Sequence, residues 1–176
     1  PAPPLPPICP PVPALEALLP DYVEHRRWFG SKARTMKSLE IIEQIPFPYA
    51  DTEAVITILE CTYTEGEADR YLLPLAFATE ARRHAIADGA PHAVIAALNV
   101  QTADDAPGDG ILVDAVADDR FTEALLAFAA DRRSRRGRHG TLHALRTRKF
   151  AELSASDAPL RPQHVRGEQR DRKSVV

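Results

Sequence analysis

An α+β fold built on an antiparallel sheet is predicted by two features of the chain. Residues 54–64 and 70–79 alternate as half-buried strands do, and only the short polar segment Glu65-Gly66-Glu67-Ala68-Asp69 separates them, so they should form a hairpin. Runs with helical spacing at residues 14–27, 79–88 and 118–135 are interleaved with further β-type runs in mixed order. With 176 residues, 44% hydrophobic and 27% charged, the chain is long enough to bury a core of its own.

Residues 1–13 hold eight prolines, and the only charged side chain before Asp21 is Glu16. Proline lacks an amide donor and fixes φ, so this stretch should be an extended linker. The run 14–27 is helical in pattern, with Pro20 expected to break it or start a second helix. In residues 39–47, Leu39, Ile41 and Ile45 should share one face of a strand. The next run sets Val55, Thr57, Leu59, Cys61 and Tyr63 against Ile56, Ile58, Glu60 and Thr62, and the third groups Tyr71, Leu73, Leu75 and Phe77. Pro74 removes a ladder donor from that third run, which places it at an edge or bulge.

A short helix over 79–88 should end at Gly89. Strands are expected over 92–100 and 111–116, around an acidic loop. Asp118 can cap a helix reaching Arg135, with Phe121, Leu125, Phe128 and Ala129 as its stripe and Gly137 as its stop. A last strand is expected over 141–148. The expected domain division is 1–13 linker, 14–103 first domain and 104–176 the beginning of a second.

The formal net charge of −3 names no partner, although 104–123 is acidic and 132–149 basic. The apolar stretches are too short to span a bilayer and no charged-then-apolar leader opens the chain, so neither secretion nor a membrane partner is supported. Cys9 and Cys61 are the only cysteines, which suits a reducing, cytoplasmic setting.

Chemical motifs are sparse. His139 and His143 have a metal-compatible spacing, but Gly137 and Gly140 argue against a helix there and no HExxH or cysteine partner is near. There is no GxSxG elbow and no glycine-rich phosphate loop. Asp114 interrupts an apolar run, where a capping role competes with a cleft-facing one. Arg132, Arg133, Arg135, Arg136, Arg138, Arg146, Arg148 and Lys149 could neutralise phosphates, but with only Phe150 nearby the stacking aromatics of a single-strand binder are missing, so nucleic acid is not the expected partner. The most unusual segment is residues 26–34: the only tryptophan, a second large aromatic, a glycine and several cations. Its chemistry fits an aromatic anchor where helix meets sheet, with Trp28 and Phe29 both buried and the cations at the rim.

That segment also carries a family resemblance. Leu19-Pro20-Asp21-Tyr22 followed by Arg27, Trp28, Phe29, Gly30, Ser31, Lys32, Ala33 and Arg34 resembles the N-terminal cap of bacterial maltokinases, including those fused to trehalose synthase. Asp69-Arg70-Tyr71-Leu72-Leu73-Pro74-Leu75 is similar to a strand motif of that family, and Val113-Asp114-Ala115 with Phe121 and Leu125-Leu126 falls in the same order. Gly167, Glu168 and Gln169, with Ser174 and two valines, resemble the ends of its phosphate-facing loop, but Arg170-Asp171-Arg172-Lys173 replaces the small donors between them. The resemblance implies a curved, cystatin-like antiparallel sheet with packed helices, followed by the start of an intermediate kinase subdomain. It implies a parent that phosphorylates maltose at the anomeric hydroxyl with ATP and Mg²⁺, and a chain with no catalytic or metal residues of its own. The implied partners are the remaining kinase lobes and a fused or associated trehalose synthase. The alternatives are a free-standing binding or regulatory module of the same fold, or a basic nucleic-acid-associated domain.

Overall fold

The computed structural model describes residues 10–101, 107–154 and 161–162. Helix α1 (Val12–Glu24) leads into β1 (Met36–Tyr49), β2 (Thr52–Tyr63) and β3 (Asp69–Thr79). Helix α2 (Glu80–Gly89) then crosses to the hairpin β4 (Val94–Gln101) and β5 (Pro107–Asp114). Helix α3 (Asp119–Ala130), a small hairpin β6 (Ser134–Arg136) and β7 (Thr141–His143), and α4 (Arg148–Ser154) follow. The five long strands form one antiparallel sheet in the order β1-β2-β3-β5-β4, an α+β architecture. The β4–β5 pair runs across the division expected at residues 103 and 104, and the sheet continues to Asp114.

Both faces of the sheet are covered. On one face Leu15, Leu19, Tyr22 and Val23 of α1, with Phe29, pack against Leu39, Leu59, Cys61, Tyr63, Leu73, Leu75 and Leu112. On the other, Ile86 of α2 and Phe121 and Phe128 of α3 meet Ile45, Phe47, Ala54, Ile56, Ala76 and Val113. Phe47 sits between the two α3 rings, 5.4 Å from Phe121 and 5.3 Å from Phe128, both edge-on. Such edge-to-face geometry places a positive ring edge against a negative face and adds to the area buried.

Several local expectations are corrected. Leu39, Ile41 and Ile45 do not share a face: the register with β2 slips between Ile41 and Glu43, so Leu39 faces α1 and Ile45 faces α3. A bulge adds one residue and inverts the alternation beyond it. Pro20 neither breaks nor restarts α1, which is continuous. Leu15, Leu19, Tyr22 and Val23 are all buried on either side of it, and that packing outweighs the lost amide bond. The helix also begins inside the expected linker, with Pro11 O accepting from Ala14 N at 2.9 Å and from Leu15 N at 3.1 Å. Pro74 lies in a central strand. Its flank toward β5 has nonetheless run out, because the β3–β5 ladder stops at Leu75–Asp114. Helix α3 ends at Ala130 rather than Arg135, where Arg132 adopts φ 52 and turns the chain into β6. Its buried stripe is Phe121 and Phe128 with Ala124 beside them, while Leu125 is 38% exposed. The strand expected over 141–148 is confined to β7, and α4 begins at Arg148.

Candidate functional site

The tryptophan-bearing segment folds as an irregular loop, residues 25–35, between α1 and β1, and it closes over the turn of the β2–β3 hairpin. Two motifs far apart in sequence meet there. Arg34 Nη1 donates to Asp69 Oδ2 at 3.1 Å, and its Nη2 donates to Glu65 O at 3.1 Å and to Glu67 O. The guanidinium also stacks 3.7 Å from the centroid of the Tyr63 ring. Ser31 Oγ donates to the same Asp69 Oδ2 at 2.5 Å, and Thr64 N donates to Thr35 O at 3.0 Å. A planar guanidinium is the one side chain that can reach a carboxylate and two carbonyls while lying flat on an aromatic face.

Gly66 completes the turn with φ +84, a left-handed conformation that costs glycine little. A β-carbon at Gly66 would also come within 2.9 Å of Arg34 Nη2. Asp69 is held below the ordinary carboxylate range, first by the Ser31 hydroxyl and then, against its partial desolvation, by Tyr63 and the Arg34 charge. Behind the clamp, burial is the main cause that pushes the Cys61 thiol up to about 11, with Asp69 and Glu24 adding to it. Cys61 is thus a buried packing group, not a reactive thiolate.

The aromatic pair divides its work. Phe29 is 3% exposed and packs 5.2 Å from Tyr71, whereas Trp28 is 43% exposed and lies 5.6 Å from the same ring. The expectation that both would be buried therefore fails for Trp28. The turns of the loop carry the Phe29 ring into the core beside Tyr71 and leave the indole on the rim of the same ring. Arg27, Gly30 and Lys32 are exposed beside Trp28. Arg26 is turned inward, with Nε donating to Tyr22 O at 3.0 Å, Nη1 to His92 O, and its guanidinium 4.2 Å from the Tyr22 ring centroid.

Of two further polar centres, the helix start expected at Asp118 is present with partners that its sequence did not announce, and the one at Glu43 was not legible beforehand. Asp118 caps α3, accepting from Arg120 N at 3.1 Å, and its Oδ2 also receives Tyr49 Oη at 3.2 Å and an Arg82 Nη2 contact. Glu43, beside the β1 bulge, accepts from four backbone N–H groups: Gln44, Arg138, His139 and Gly140. The break in alternation at Glu43-Gln44 and the glycine-flanked pair Arg138-His139 were the signals that could have linked them. Asp114 takes the capping role, accepting from Val116 N at 3.0 Å.

His139 and His143 do not converge: His139 contributes its backbone N–H to Glu43, and His143 Nδ1 lies 2.8 Å from Ser134 Oγ. Among the described residues no group of three or more His, Cys, Asp or Glu is placed to hold a metal ion, and no helix is long and apolar enough to cross a membrane. Gly167, Glu168, Gln169 and Ser174, the remnant of a nucleotide loop, lie outside the described residues.

The model of one protein family, described as the maltokinase N-terminal cap domain, matches residues 22–118, a span that contains both motifs of the clamp and ends on Asp118. No curated protein matches the chain.

Proposed function

Because the chain belongs to the maltokinase N-terminal cap domain family, we propose that it is the non-catalytic cap portion of a protein whose other lobes transfer phosphate from ATP to maltose, giving maltose 1-phosphate. The observation that supports this reading is how the signature residues spend their polar groups. Ser31 and Arg34 are committed to Asp69 and the hairpin carbonyls, and Phe29 is buried. Residues so engaged brace a loop on a sheet. A phosphoryl-transfer site instead needs cations, a base and metal ligands aimed at an open space. The nucleotide chemistry would belong to the rest of the parent. The intermediate kinase subdomain would begin beyond the matched region, and a trehalose synthase would precede the proline-rich linker or associate with the parent. A reducing, cytoplasmic setting goes with that parent.

A second reading, a binding module, is favoured by Trp28, whose indole is 43% exposed in a loop that also exposes Arg27 and Lys32, since tryptophan with one side wet and one side packed is a common anchor at interfaces. The two readings separate in one assay. Formation of maltose 1-phosphate is measured with Mg²⁺-ATP for this chain and for a polypeptide extended through its natural continuation. The cap reading expects turnover only from the extended protein. Turnover by the short chain overturns it, and an inactive extension that carries no kinase lobe favours the binding module.

A further inference from the structure

The β6–β7 hairpin is fastened to the sheet in an unusual way. It lies along β1, the edge strand, beside the bulge that follows Ile41. One direct backbone bond joins them, from Arg138 N to Gln44 O at 3.0 Å. The other polar bonds to β1 among the described residues converge on a single carboxylate. Glu43 Oε1 accepts from Arg138 N at 2.7 Å, Oε2 accepts from Gly140 N at 2.5 Å, and His139 N lies 3.1 and 3.0 Å from the two oxygens. Three consecutive backbone N–H groups turned toward one anion form a nest, a geometry that favours negative charge with no help from side chains.

The tip is shaped for that occupant. A β-carbon at Gly137 would meet Glu43 Oε1 and Ile45 Cγ1 at 2.7 Å each, and one at Gly140 would meet Glu43 Oε2 at 3.2 Å. Apart from Leu142 and Ala144, which pack on the core, most of the hairpin side chains are exposed. Few apolar contacts and many solvent-facing bonds mark a segment able to open without the whole domain unfolding.

We propose that the loop Arg138-His139-Gly140 is an anion-binding nest whose resident ligand is the Glu43 carboxylate, and that this carboxylate is the latch holding the β6–β7 hairpin on the edge of the sheet. Removing it frees the hairpin, and with it the course of the chain toward α4, while the five-stranded sheet stays closed. The latch also covers the edge of β1, which would otherwise present unpaired backbone groups to other chains. The inference stands on this geometry alone and does not depend on the family reading.

Backbone amide exchange, followed by mass spectrometry on the full chain, tests it. Glu43→Gln removes the charge and keeps the shape. It should speed exchange of the amides of residues 136–141 at least about tenfold, with residues 54–63 of β2 unchanged. Glu43→Ala should go further, and formate or inorganic phosphate should then restore protection by entering the vacated nest. An unchanged hairpin in Glu43→Gln overturns the latch, as does exchange that rises equally in β2. Failure of both anions to restore protection in Glu43→Ala overturns the nest.

Discussion

Asp69 Oδ2 receives the Arg34 guanidinium at 3.1 Å, 35 residues away in sequence, so the loop leaving α1 is tied to the first residue of β3. Replacing Arg34 with Ala should cost about 2 kcal/mol, the usual scale for a charge-assisted bond lost together with its packing. Arg34→Lys should recover little of it, since an ammonium cannot serve Asp69, Glu65 O and Glu67 O while lying on Tyr63. Urea unfolding of the two variants checks both expectations, and equal stability of the Arg34→Lys variant and the parent would count against the clamp.

The two aromatics of the loop should separate cleanly. Phe29→Ala should cost about 3–5 kcal/mol, as for any large ring removed from a filled core. Trp28→Ala should cost about 1 kcal/mol or less, because nearly half of the indole is already in water. Melting curves of both variants provide the measurement, and a large loss for Trp28→Ala would show that the indole stabilises more than its exposure implies.

Acid should weaken the latch described above. Burial pushes Glu43 up, but its four backbone N–H bonds prevail and hold it below the ordinary 4.5. A carboxylate depressed in the folded state contributes stability that is full above its unfolded value and is lost as pH falls through the lower folded value. Between those two values stability should therefore decline in the parent, and Glu43→Gln should flatten that part of the curve. Chemical denaturation at a series of pH values from neutral down to about 3 tests this; identical profiles would remove Glu43 from the acid response.

Asp118 should be the least replaceable carboxylate of the domain. It is 8% exposed, caps α3 and is the shared acceptor of Arg82 and Tyr49. Asp118→Ala should cost about 3–5 kcal/mol, because it removes the helix cap and leaves the half-buried Arg82 guanidinium without its carboxylate, with only Tyr49 Oη as a partner among the described residues. Asp118→Asn, which keeps the cap but loses the charge, should cost less. Calorimetric melting of the pair tells the two contributions apart.

Truncation at the front should show where the helix starts. Removing residues 1–9 should leave the melting midpoint unchanged, whereas removing 1–13 takes away the Pro11 carbonyl and the first residues of α1. The second deletion should lower stability by about 1 kcal/mol or more, the scale of a lost helix start. Equal midpoints for the two truncations would place the true start of α1 after Pro13.

Alternation alone was enough for the centre of the sheet. Val55, Thr57, Leu59, Cys61 and Tyr63 are all buried on one face, as their spacing requires, and the polar run at residues 65–69 does turn the chain into an antiparallel partner. The motif at residues 27–34 was legible as the mark of a cap, and Asp118 as a helix start. The alternation and the helix start depend on neighbours in the chain, so local order reveals them, whereas the motif was legible only through its family resemblance. The inverted face of β1, the exposed Trp28, the early end of α3 and the grip of residues 138–140 on Glu43 depend on segments up to 97 residues apart. No periodicity encodes such encounters. They are settled only when packing selects which of two adjacent side chains enters the core, and when an edge-strand carboxylate finds the backbone donors that satisfy it.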